Sequence, residues 1–299
     1  MNLGYACINM TLGKQKPKIT TNRSMIKRTF TEKGIPYASE LAIQNTRDLI
    51  EIIKWNHQNG INFFRLSSEL FPWASEYNLS ELPHYHRISN LMAGAGNLIK
   101  KYNQRITSHP GPFNVLVSPN ERVVQNTITD LSIHGEVFDM LGLSRTPYNK
   151  LNIHCNGVYG DKQSAMDRFC KNFERLPESV QTRLTVENDD KASMYSVKDL
   201  MYIHERIGIP IVFDYHHHKF CTGDLSEEEA LKLAVSTWPD GITPVVHYSE
   251  SKALHENNEK LKPQAHSDYI NEIPNTYGLD VDIMVESKAK ELAILDYLQ

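Results

Sequence analysis

Histidine, aspartate and glutamate are the side chains that hold divalent cations. In this chain they recur where short apolar runs end. His109, His154, Glu187, Asp214 with His217, His247 and Glu286 each close or directly follow such a run, and His266 lies in the loop after the seventh. With 13 His and 36 Asp and Glu among 299 residues, about one position in six carries such a group, so six of eight run ends exceeds what composition supplies. Taken singly each has a plainer use: His154 as a hydrogen-bonded core residue, His109 as a turn marker before Pro110, Glu187 as a helix cap. Taken together they crowd carboxylates into a partly desolvated pocket, which is costly unless cations neutralise them. Imidazole and carboxylate without thiolate suit manganese, zinc or iron rather than calcium or magnesium alone. Eight candidate ligands exceed what one tetrahedral zinc takes, so two or three ions are implied. Several ions bridged by carboxylates, with Glu187 and Glu286 the candidate bridges, suit in-line displacement at phosphorus. No Walker loop, no G-x-G-x-x-G after the first strand and no nucleophile elbow occur, so no nucleotide cofactor is expected.

Such residues need a scaffold that brings distant run ends together. Strands are predicted near 3–9, 63–68, 105–110, 151–156, 183–189, 210–215, 243–248 and 281–286, each β-branched or apolar. Helical spacing separates them. Ser226 with Glu229 makes a capping box before Leu231, Ala234, Val235 and Trp238. Met166, Phe169, Cys170 and Phe173 repeat the stripe, as do Leu49, Ile52 and Ile53. Eight strand–helix repeats imply a parallel sheet with right-handed crossovers that closes into a (β/α)8 TIM barrel, one domain over residues 1–299. In that fold the strand carboxyl ends form the working face. The first connection, from about 10 to 40, is expected to be the longest.

Composition excludes several classes. The chain is 40% hydrophobic and 23% charged with a net charge of -4, a globular rather than disordered profile. No apolar run is long enough for a membrane span, and the start lacks a signal-peptide layout. Cys7, Cys155, Cys170 and Cys221 form no C-x-x-C pair, which points to a reduced, cytoplasmic setting. The mild acidity argues against bulk coating of nucleic acid. Lys14, Lys16, Lys18, Arg23, Lys27 and Arg28, however, lie in a stretch free of acidic residues, a local patch suited to phosphates or simply a solvated loop.

The segments LGYACINMTLG with TTNR, FFRLSS with PWAS, SHPG, LTVENDDK, FDYHHH, KPQAH and VDIMVESKAKE occur in this order over nearly the whole length. In them the chain resembles the UV damage endonucleases, single-barrel repair nucleases similar to the endonuclease IV barrel of abasic-site repair. The resemblance implies that His109, His154, Glu187, Asp214, His217, His247, His266 and Glu286 bind up to three ions, usually manganese. It implies incision of double-stranded DNA 5′ to cyclobutane dimers and 6-4 photoproducts, leaving a 3′-hydroxyl and a 5′-phosphate, by a protein acting as a monomer. Tyr5 and Asn9 match residues that insert at the lesion. Phe113 is a candidate wedge, and Lys14 and Arg23 are candidate phosphate contacts. Two departures stand out: Pro112 and Phe113 replace a Gln-Tyr pair, and Val245 replaces a lysine two positions before the strand-seven histidine. The rivals are an abasic-site endonuclease, a metal-dependent sugar isomerase or epimerase on the same barrel, and a non-catalytic damage-binding protein.

Overall fold

The computed structural model describes residues 1–299. β1 (Leu3–Ala6) leads through the turn α1 (Met10–Gly13) into the long helix α2 (Lys27–Gln58) and β2 (Phe63–Leu66). α3 (Tyr85–Lys101), β3 (Arg105–Ser108), α4 (Glu121–Met140) and β4 (Leu151–Ile153) follow. Next come α5 (Lys162–Phe173), α6 (Glu178–Gln181), β5 (Leu184–Glu187), α7 (Val197–Ile207), β6 (Ile211–Asp214) and α8 (Tyr215–His218). The chain ends with α9 (Glu227–Val235), β7 (Val245–Tyr248), α10 (Lys252–His255), β8 (Asp282–Val285) and α11 (Glu291–Tyr297). Each strand pairs in parallel with the next, and β8 pairs with β1, so the expected eight-stranded barrel is closed.

The strands are shorter than the apolar runs that announce them. His109, His154 and Glu286 each fall one residue beyond their strand. After His109 comes Pro110, which has no N–H to donate, whereas the Glu286 N–H still reaches the Tyr248 carbonyl at 2.8 Å. At the other end, β1 passes tightly over β2: a Cβ on Gly4 would lie 2.5 Å from the Phe63 ring.

The helices form for the expected local reasons. Ser226 and Glu229 make their reciprocal capping box, and Leu231, Ala234 and Trp238 are buried. Met166, Phe169 and Cys170 bury one face of α5, and Leu49, Ile52 and Ile53 one face of α2. The first connection differs from expectation. Residues 27–40 are helical rather than loop, with a kink at Gly34 (φ 60°) and Pro36 in the turn that restarts the helix. Proline is tolerated there because the first N–H groups of a helix have no partner to lose. The non-helical part of the basic stretch is thereby shortened to residues 14–26.

Most apolar packing lies between barrel and helices. Inside the barrel only Ala6, Phe63, Val212, Trp238, Val245 and Met284 form an apolar cluster, so the rest of that interior is polar. At its amino-terminal end Arg105 Nη1 meets Asp282 Oδ2 at 2.9 Å, both nearly inaccessible. Arg105 also donates to the carbonyls of Tyr148 and Thr243, and Asp282 accepts from the Asn2 backbone.

Candidate metal centre

At the opposite end the candidate ligands converge. Glu187, the last residue of β5, is fully buried and stands at the centre. Its Oε2 lies 3.2 Å from His109 Nε2 and 3.0 Å from His247 Nδ1. Its Oε1 lies 3.4 Å from His217 Nδ1 and 3.8 Å from His154 Nε2. His247 Nδ1 is also 3.3 Å from Glu286 Oε1. Three groups result, each compact enough to hold one ion: His109, His154 and Glu187; Glu187, Asp214 and His217; Asp214, His247 and Glu286. Glu187 and Asp214 each belong to two groups, which is the arrangement carboxylate bridging requires.

Outer partners orient the imidazoles. His154 Nδ1 meets Asp189 Oδ1 at 3.2 Å, His217 Nδ1 meets the Asn188 carbonyl at 2.9 Å, and His109 Nδ1 meets the Pro110 carbonyl at 3.2 Å. In His109 and His154 the outer contact is on Nδ1 and Nε2 faces Glu187, which leaves Nε2 free to serve as the lone-pair donor, the usual arrangement around metal-binding histidines. Asp214 accepts from His217 N at 2.8 Å and so starts α8, which selects His217 from the three consecutive histidines. His216 is buried beside His266, with ring centroids 5.4 Å apart.

The electrostatics are those of a site short of positive charge. Glu187 Oε1 and Asp214 Oδ2 are buried without hydrogen-bond partners. Burial pushes the Asp214 carboxyl up to about 7, with Glu187 and Glu286 adding repulsion. Burial opposes charge on His217 too, but Asp214, Glu187 and Glu286 hold it up at about 9. Burial alone would raise Glu187 and Glu286, yet the histidines, and Arg65 for Glu286, hold both well below the usual carboxylate range. Orphaned carboxylate oxygens amid imidazoles fit divalent cations, and an oxygen–nitrogen set without sulfur fits first-row ions such as manganese, iron or zinc.

Of the eight predicted ligands, seven fall in the three groups. His266 does not: its ring is 6.4 Å from that of His217, at the isolated bridge Ser251–His266. Tyr5 and Asn9 do not reach the rim. Tyr5 is 0% exposed, its hydroxyl donates to Asn56 Oδ1 at 2.7 Å, and Asn9 donates to that hydroxyl while capping α1. Both side chains are committed to local packing in this conformation, so it does not present the inserting pair that the resemblance implies. Phe113 is 69% exposed beyond His109, where a wedge would stand. Lys14, Lys16 and Lys18 are exposed, whereas Arg23 is tied to Asp48 and to the carbonyls of Thr20 and Lys18, holding its loop together.

A model of the UV-endonuclease UvdE family matches residues 1–299. The chain belongs to that family. It is 38% identical over 307 residues to the UV-damage endonuclease of Schizosaccharomyces pombe, covering 98% of this chain but only 49% of that protein, about half its length. The crystal structure of SacUVDE superposes with a TM-score of 0.84 at 32% identity, covering 100% of this chain and 96% of that one. A D-psicose 3-epimerase from Clostridium cellulolyticum H10 aligns at a TM-score of 0.54 over 96% of this chain and 85% of that one. At 11% identity this second likeness concerns the barrel alone.

For a member of this family, the centre also holds polar residues that a search for ligand types passes over. Asn152 donates to Glu187 Oε2, and Thr185 donates to Asn152 Oδ1 at 2.7 Å. Lys150 is fully buried with Nζ 3.0 Å from His247 Nε2, and burial depresses it to about 7. Val245 does stand two residues before His247, packed in the inner cluster, but a lysine amine reaches His247 from the residue before β4 instead. The signal was the alternation Lys150, Asn152, His154, which puts all three on one face. Arg65, inside FFRL, meets Glu286.

Proposed function

We propose that this chain is a metal-dependent DNA endonuclease that incises double-stranded DNA 5′ to UV photoproducts, leaving a 3′-hydroxyl and a 5′-phosphate. The observation that carries this reading is the trio of adjoining ligand groups sharing Glu187 and Asp214, in a chain of the UV-endonuclease family. Two or three divalent ions, manganese foremost, would be held by His109, His154, Glu187, Asp214, His217, His247 and Glu286. Bound there, they would make water acidic enough to ionise near neutral pH and would neutralise charge on the phosphate oxygens.

The chain's own residues do the rest. Asp189 and Asn188 hold the His154 and His217 rings in register, and Asn152 keeps Glu187 aimed into the mouth. Lys14, Lys16 and Lys18 contact backbone phosphates, binding that is independent of base sequence. Photoproducts stack poorly, so flipping them out costs less than flipping normal bases, and Phe113 fills the gap that opens. Pro112 beside it offers no side-chain hydrogen bond, so recognition here rests on shape and weakened stacking. That favours abasic sites as a second substrate class.

The test is nicking of UV-irradiated and untreated supercoiled plasmid with manganese and with chelator. Lesion-dependent nicking that the chelator stops is expected; equal nicking of both plasmids removes the lesion specificity. A sugar isomerase would show no steep loss of DNA binding between about 50 and 200 mM salt, the behaviour phosphate contacts produce.

A further inference from the structure

Arg65 stands among the candidate ligands with a charge it cannot lose. Phe63 lies in the inner cluster, while Phe64 and Leu66 pack in the outer core, so alternation turns Arg65 inward beside Phe63. Its side chain is 14% exposed; Nη1 meets Glu286 Oε1, and Nε is buried with no partner. A cavity of about 290 Å³ opens at this point, and Cys7, Arg65, His109, His154, Asn156 and Glu286 line it with the turn after His109. The guanidinium therefore shares one cavity with three candidate ligands.

A guanidinium carries five N–H donors in a fixed fork, and one contact with Glu286 leaves most of them open. A buried N–H without an acceptor is costly, and an incoming acceptor removes that cost. The only carboxylates in the three ligand groups are Glu187, Asp214 and Glu286. Two or three divalent cations together with Arg65 exceed that negative charge, so the loaded mouth calls for an anion. The fork matches the paired oxygens of a phosphodiester.

We propose that Arg65 is a catalytic residue that grips a non-bridging oxygen of the scissile phosphodiester, giving up Glu286 to the cations as they bind. The proposal rests on the nuclease reading. Arg65 forms and breaks no covalent bond and transfers no proton; it stabilises charge on phosphorus oxygens while water displaces the 3′-oxygen.

The experiment pairs nicking kinetics on UV-irradiated plasmid, at saturating Mn²⁺, with calorimetric Mn²⁺ binding in the absence of DNA. Arg65→Met is expected to lower kcat by about 10²–10³-fold, as loss of one preorganised donor does. KM should change little, and Mn²⁺ should bind at least as tightly because Glu286 is released. Arg65→Lys keeps the ion pair and the fold but loses the fork, and should lose about tenfold or more in kcat. In Arg65→Ala, added guanidinium should restore part of the rate and the same concentration of ammonium should not. Wild-type kcat in Arg65→Met or Arg65→Lys overturns the proposal. So does weaker Mn²⁺ binding with a rate that excess Mn²⁺ restores, since Arg65 would then merely position Glu286. A wild-type protein that nicks no DNA would sink the nuclease reading itself and the proposal with it, whereas these variant results strike Arg65 alone.

Discussion

The barrel buries charge at both ends and treats it in opposite ways. At the amino-terminal end, Arg105 and Asp282 lie 2.9 Å apart, with neighbouring carbonyls and a backbone N–H taking up much of their remaining capacity. At the carboxyl end, three carboxylates and four imidazoles face one another, and oxygens of Glu187 and Asp214 have no partner. Arg105 Nη2 alone of that pair is left without a partner, and breaking such a buried pair leaves an unpaired charge and destabilises the fold. An unsatisfied cluster is already strained electrostatically, and a divalent cation is what its donor set could take up to complete it. The first end is built to hold the barrel together, the second to bind.

The sharpest way to break this contrast is Glu187→Gln. The centre would lose one of its two shared carboxylates, and nicking should fall by at least about 10³-fold, the scale on which metal-activated water matters. DNA binding should be largely spared. Retained nicking at the wild-type rate removes Glu187 from the site and with it the claim that the carboxyl end is the working end.

At the other end, Arg105→Met should lower stability by about 3–5 kcal/mol because Asp282 is left buried and unpaired. Urea unfolding measures this. The nicking rate per folded molecule should stay near wild type, well below the unfolding midpoint. A large loss of rate without loss of stability would mean the two ends are not separable.

Much of this division is legible in the sequence, and the exceptions have physical causes. The eight strands show because each is a short β-branched or apolar run between helical stripes, and the candidate ligands show because they end those runs. Arg65 and Lys150 do not show as site residues. A charged side chain inside a strand reads as solvent-facing until closure of the barrel decides which face is interior. His266 reads as a ligand from its place after β7; it lies beside both His216 and His217 with its Nδ1 buried and unpartnered, outside the three compact groups. Tyr5 and Asn9 look available at the end of β1, but Asn56 on α2 supplies a partner that holds Tyr5 in the layer between barrel and helices, a contact no local pattern announces. The helical start of α2 is hidden because Gly34 and Pro36 read as loop residues.

Asp214→Asn sharpens the comparison through pH. The folded-state pKa of Asp214 is raised from 3.8 to about 7, so the stability tied to its neutral form is present at low pH and lost as pH rises through that window. Asparagine removes this loss and still caps α8. In the metal-free protein, Asp214→Asn should therefore match wild type near pH 4. It should become the more stable of the two as pH rises to about 7, by roughly 4 kcal/mol at about 1.4 kcal/mol per pKa unit, and the gap should stay flat above. Its melting temperature should not rise with Mn²⁺, whereas that of wild type should. A metal-free Asp214→Asn protein that is less stable than wild type at pH 8 would show that the carboxyl end is satisfied without cations. For wild type, Mn²⁺ binding must displace protons from Asp214 and from His217, held at about 9, so affinity should climb between pH 6 and 9. Calorimetry in buffers of different ionisation enthalpy reads the protons released.

The smallest effect belongs to the rim rather than either end. Lys14, Lys16 and Lys18 are exposed, so replacing them with glutamine takes positive charge away from the DNA backbone without touching the buried charges. Each lysine–phosphate interaction removed should reduce the slope of log binding constant against log salt by about 1. Affinity should fall alike for damaged and undamaged DNA, with kcat unchanged at saturating substrate. Arg23 is the internal control, because its guanidinium is engaged with Asp48 and two carbonyls. Arg23→Gln should lower stability and leave the salt slope as it is. If Arg23→Gln flattens the slope while the lysine variants do not, the phosphate track runs over the loop that Arg23 anchors and not along Lys14 to Lys18.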